Sequence, residues 1–162
     1  GAHRHAPWQR LCLDAAFVIQ WHTIGMFAPG FFTGHLIKLR GPVRVIMAGE
    51  ILMLGTVGIA VSGVTLMHFW LSMFAVGIGW NFTFTGATAL LIQIHKPSER
   101  ANVQGVNDLI IFTLLALTSL TSGMLYHFAG WNILVLMALP IIAIMLVIVL
   151  GLAPKNRRQP AV

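Results

Sequence analysis

The sequence predicts an all-α fold, a polytopic transmembrane bundle of about five membrane-spanning helices. Three observations predict it. Of 162 residues, 57% are hydrophobic and only 9% charged, with a mean hydropathy of +0.85. Soluble domains carry about 25% charged residues, and four acidic side chains cannot solvate a globule of this size. Five stretches reach the ~20 apolar residues needed to cross a hydrocarbon core about 30 Å thick. Basic residues, finally, gather at alternate breaks between those stretches.

The five expected spans are 14–37, 43–66, 69–94, 105–126 and 132–153. They are preceded by an external polar segment, 1–13, and followed by a cytoplasmic basic tail, 154–162. The breaks fall at 39–42, 67–68, 95–104 and 127–131, all short, so successive helices run antiparallel. Lys38, Arg40 and Arg44 flank the first break, Lys96 and Arg100 the third, and Lys155, Arg157 and Arg158 follow the last span. The second and fourth breaks hold no Lys or Arg. By the positive-inside rule this places the C-terminus in the cytoplasm and the start of the first span outside. Trp70, Tyr126 and Trp131 then sit at the outer boundary, where amphipathic rings concentrate. Arg4 and Arg10 on the external side are the exception. No initiator Met is present, and with an odd span count the chain reads as a fragment.

Pro29 interrupts the first span, removing a backbone donor beside the small pair Gly30 and Gly34, which predicts a bend. The third span carries a polar stripe: Gly77, Asn81, Thr85 and Thr88, at steps of four, four and three, share one face. Such a stripe either packs against another helix or lines a wet cavity. Thr118, Thr121 and Ser122 on the fourth span favour bonds to their own helix carbonyls. The last span is apolar all round and faces lipid. Two acids lie inside spans, Glu50 and Asp108. Anchoring by a nearby Lys or Arg is the simpler role for both, with Lys38, Arg44 and Arg100 as partners for Glu50. His22, beside Gln20, is the one histidine well inside a span, where it can relay protons.

Several classes of function are excluded. No two of the seven histidines share a span at ligand spacing, so no metal and no cofactor is expected. No P-loop, nucleophile elbow or H-E-x-x-H is present, and the chain is not expected to be an enzyme. The net charge of +6 sits at membrane-flanking loops, which points to headgroups and not to nucleic acid.

The run Gly25 to Gly34, with Leu36, Gly41 and Arg44 after it, resembles the inter-helix turn of the major facilitator superfamily that carries a G-x-L-x-D-R-x-G pattern. Lys38 and Leu39 stand where that pattern has Asp-Arg, a degeneracy usual in the second half of such transporters. Gly77-Ile78-Gly79-Trp80-Asn81-Phe82, then Pro97-Ser98-Glu99-Arg100 and Gln104 to Asp108, is similar to helix ten, its loop and the start of helix eleven. The resemblance implies helices eight to twelve of a bacterial twelve-helix transporter that uses alternating access and the proton gradient. Its partners would be the lipid bilayer of the inner (cytoplasmic) membrane, a small-molecule solute and the missing N-terminal half. By position it makes Trp80, Asn81 and Thr85 the best cavity candidates, then His22, Gln20 and Thr118. Gly34, Lys38, Arg40, Gly41 and Arg44 would form a cytoplasmic gating loop. The rival readings are a small membrane scaffold or assembly partner complete in itself, and a membrane enzyme or haem protein built on the histidines.

Overall fold

The computed structural model describes residues 7–152; positions 1–6 and the basic tail from 153 onward, with Lys155, Arg157 and Arg158, lie outside the described residues. Six helices follow one another: α1 Pro7–Phe27, α2 Gly30–Arg40, α3 Pro42–Ser62, α4 Leu66–Ile94, α5 Arg100–Leu136 and α6 Ala138–Leu152. Among the described residues there is no strand. Four continuous stretches are long and apolar enough to cross a membrane: Gln9–Arg40, Pro42–Ser62, Leu66–Ile94 and Arg100–Leu152.

The breaks follow local chemistry. Helix α1 starts at Pro7, so the second half of the expected polar segment 1–13 is helical. The first stretch is interrupted at Ala28–Pro29, because Pro29 has no N–H to offer the Gly25 carbonyl one turn back. Gly41 ends α2 with φ +81° and its N–H on the Ile37 carbonyl, and Pro42 opens α3, the position where proline's missing donor costs nothing. The second break falls at 63–65, and not at the expected Met67–His68. There Ser62 bonds back to the Ile59 carbonyl, and Thr65 and His68 are hydrogen-bonded across the first turn of α4 at 2.7 Å. The last stretch, 53 residues, is far longer than a span requires. Gly130, with φ +76° and ψ 175°, breaks it, and Trp131 Nε1 donates to the Ala60 carbonyl at the end of α3.

Helix α4 is the axis of the bundle. One side of it meets α3 through glycines: a Cβ on Gly49 would lie 2.9 Å from the Gly79 carbonyl oxygen, and one on Gly86 would lie 2.6 Å from Ile46. Gly49 faces Gly79 and Ile46 faces Gly86, so the two helices run antiparallel. The other side meets α1, where a Cβ on Gly77 would lie 2.5 Å from the His22 carbonyl oxygen and 2.9 Å from the Met26 nitrogen. Here His22 pairs with Met73 and Met26 with Asn81, so numbers rise together and the helices are parallel. Between tightly apposed backbones there is no room for any side chain larger than hydrogen.

Polar bonds cross the α1–α4 contact. Asn81 is 8% exposed and Thr33 is fully buried. Asn81 Nδ2 donates to the Met26 carbonyl at 2.7 Å, and Thr33 Oγ1 lies 2.6 Å from Asn81 Oδ1. Thr33 Oγ1 also lies 2.8 Å from the Pro29 carbonyl, but a hydroxyl has one hydrogen. Asn81 Oδ1 has no hydrogen to give, so the Thr33 hydroxyl donates to it, while the Pro29 oxygen is served by the Thr33 backbone N–H. Asn81 therefore ties both sides of the proline break, the last turn of α1 and the first of α2, to α4.

Two outcomes are expected in thermal unfolding of the detergent-solubilised protein. Gly77→Ala destabilises by about 1–3 kcal/mol through overpacking, whereas Gly123→Ala, whose added methyl meets nothing within 4 Å, does not lower Tm. Thr33→Val strands Asn81 Oδ1 and costs about 1–3 kcal/mol. That cost shrinks in an Asn81→Leu background, and additive effects of the two changes would contradict the bond.

Candidate functional site

Four flanks of α4 are distinguishable. The first two are taken by α1 and α3. On the third, toward α5, lies a groove of about 220 Å³ lined by His22, Met26, Val76, Trp80 and Leu115. Val76 and Trp80 are one turn apart on α4, as His22 and Met26 are on α1, so each helix contributes a short ladder of side chains. Trp80 stacks on Phe84 one turn further on, with centroids 5.5 Å apart and planes 16° from parallel. The indole face is thus braced on one side. His22 is fixed by its ring Nδ1, 2.7 Å from the Met73 carbonyl oxygen. Aromatic surface beside one imidazole is a wall for a flat, polar-edged solute.

Of the expected cavity residues, the structure brings His22 and Trp80 together. Asn81 is adjacent, but its amide is spent on α1 and α2. Thr85 is half-buried and Gln20 is exposed; neither lines the groove. Thr118 is exposed and bonds its own helix at the Leu114 and Leu115 carbonyls, and Thr121 and Ser122 do the same. Of the gating candidates, Gly34, Lys38 and Arg40 lie exposed along α2, Gly41 makes the corner and Arg44 is exposed in the first turn of α3.

Neither acid takes the partner expected for it. Glu50 is 4% exposed between α3 and α4, with Thr83 Oγ1 at 3.5 Å, and forms no ion pair with Lys38, Arg44 or Arg100. Asp108 Oδ1 accepts from Gln104 Nε2 at 2.7 Å and Asn107 Nδ2 at 3.3 Å, both on its own helix. Among the described residues no three His, Cys, Asp or Glu side chains converge as a metal site would require.

Met26, Val76, Leu115, Thr33 and Phe84 escaped the sequence reading. The first three are ordinary apolar residues whose pattern carries no signal. Phe84, four residues after Trp80, had the spacing of a ring pair and could have been found. Two other cavities are apolar. One, about 540 Å³, lies between the starts of α1 and α4 beside Trp131, with Asp14 its one ionisable residue. Another, about 210 Å³, lies on the far flank of α4 from Trp80 and is lined by Phe32, Phe74, Ile78 and Phe82 among others. The second suits lipid tails or a neighbouring helix, since its lining offers nothing to orient a polar solute.

Residues 13–162 match the Major Facilitator Superfamily. The chain is 44% identical over 148 residues to a riboflavin transporter of Brucella anthropi, an alignment that takes in 91% of this chain and 37% of that protein. It is 30% identical to each of two uncharacterized MFS-type transporters of Bacillus subtilis, YddS and YdeG. Those alignments cover 75% and 67% of this chain and 28% and 26% of theirs. The chain thus spans about a third of the length of these relatives. No solved structure matches it. A transporter family, and not an enzyme family, accounts for the apolar helices and for the match along nearly the whole chain: the chain belongs to the Major Facilitator Superfamily.

Proposed function

We propose that this chain forms helices eight to twelve of a twelve-helix secondary active transporter, and that its solute is a planar heterocycle of the riboflavin kind. The observation that carries this reading is the braced Trp80–Phe84 pair standing beside His22 in the groove between α1, α4 and α5. A tricyclic ring stacks well on an indole held rigid from behind, and a pinned imidazole can meet its polar edge. The name borne by the 44% identical relative agrees with that chemistry.

The transporter sits in the inner (cytoplasmic) membrane and works by alternating access, this bundle rocking against the N-terminal half with the solute between them near the midplane. The proton gradient drives it. The end of the bundle carrying Lys38, Arg40, Arg44, Lys96 and Arg100 faces the cytoplasm, as does the C-terminus, because the turns at 63–65 and at Gly130 hold no basic residue. Asn81 contributes by holding the bent first span in shape beside the solute, and α2 with its basic corner forms the cytoplasmic gate.

Two outcomes test this reading. Trp80→Ala in the full-length protein lowers riboflavin uptake at least about tenfold, the loss of roughly one stacked-ring contact, with normal membrane insertion; a protonophore abolishes wild-type uptake. Unchanged uptake in Trp80→Ala would remove the groove from the pathway. Orientation is read from Cys12, which is exposed on α1: in a full-length protein with no other cysteine, a membrane-impermeant maleimide labels it from outside intact cells. Labelling only after lysis would invert the topology.

A further inference from the structure

The hydrogen bond that pins His22 also decides what its ring can offer a solute. Nδ1 lies 2.7 Å from the Met73 carbonyl oxygen. A carbonyl only accepts, so Nδ1 carries the hydrogen, and in the neutral ring Nε2 is left as a lone-pair acceptor. Among the described residues the ring makes no second hydrogen bond, while His22 lines the same groove as Trp80. The other lining side chains give Nε2 no competitor: Met26, Val76 and Leu115 are apolar, and an indole N–H only donates. The groove therefore holds one oriented acceptor beside an aromatic platform.

Resting on the riboflavin-type reading, we propose that His22 Nε2 is the specificity-determining acceptor of this half-site, selecting solutes whose flat ring carries an N–H donor on its edge. An imide or amide N–H in the ring plane fits such an acceptor, because a flat ring stacked on an indole keeps its hydrogen-bonding groups at its edge. A ring with an acceptor atom in place of that N–H would set lone pair against lone pair. A ring methylated at that nitrogen would lose the donor and press a methyl group on the imidazole. Sites that hydrogen-bond a ligand donor reject analogues lacking it far more strongly than apolar pockets reject an extra methylene.

The test uses full-length protein in proteoliposomes, with labelled riboflavin uptake challenged by unlabelled riboflavin or by its N3-methyl derivative, which lacks the imide N–H. Wild type is expected to prefer riboflavin by about tenfold or more in inhibition constant. His22→Phe is expected to weaken riboflavin and leave the N3-methyl derivative unaffected, so that the preference disappears. Equal inhibition of wild type by the two compounds overturns the role of His22 while leaving riboflavin transport intact, and needs no variant to fold. A preference that persists in His22→Phe overturns it as well. Failure of wild type to take up riboflavin at all defeats the underlying solute assignment, and the inference falls with it.

Discussion

Close backbone contact at glycine, on both sides of α4, is the constraint on which the rest of this bundle depends. Inside a membrane, apolar side chains gain little by leaving lipid for protein, so helix association rests on packing and on hydrogen bonds between helices. Gly77 lets α4 approach the α1 backbone, and Gly49 lets α3 approach Gly79. Only at such separations can a short side chain reach the neighbouring main chain. Asn81 reaches the Met26 carbonyl and His22 reaches the Met73 carbonyl across the same seam. The polar bonds and the small residues are thus one device: the glycines bring the helices together and the bonds fix their register.

That device explains why a break in the first membrane stretch is tolerated. Pro29 leaves carbonyls in the last turn of α1 without their usual donors, and in lipid each unsatisfied group costs several kcal/mol. The Asn81 amide supplies one donor, and the Thr33 hydroxyl satisfies the amide oxygen in turn. With α1 and α3 holding two flanks of α4 and a wholly apolar groove on the flank opposite Trp80, the flank suited to a polar-edged solute is the one carrying Trp80.

Much of the fold was legible in the sequence because composition and the lengths of apolar runs are enough to choose lipid as solvent and helix as structure. The bend at Pro29 and the corner at Gly41–Pro42 were legible too, since proline and glycine act through local backbone geometry. The second break was misplaced because Met67–His68 interrupts the hydropathy, whereas Gly63 interrupts the helix. The polar stripe of α4 was read as one face, and it is one, but periodicity does not say what opposes a face. Gly77 and Asn81 turn out to meet α1, and Trp80, one position off the stripe, meets the groove. Neither acid's partner could be read, because each bonds a neutral side chain in place of the Lys or Arg that charge alone would suggest.

Transport by this bundle turns on one contact: the solute meets the Trp80 flank of α4. Photolabelling addresses it most directly. An azido-substituted flavin would be bound to the full-length protein and irradiated, and the attached peptides read by mass spectrometry. Adducts are expected at Trp80, Met26 and His22, suppressed by excess riboflavin. Adducts confined to Phe32, Ile78 and Phe82, the apolar groove on the opposite flank, would contradict it and move the solute path to the other side of the helix.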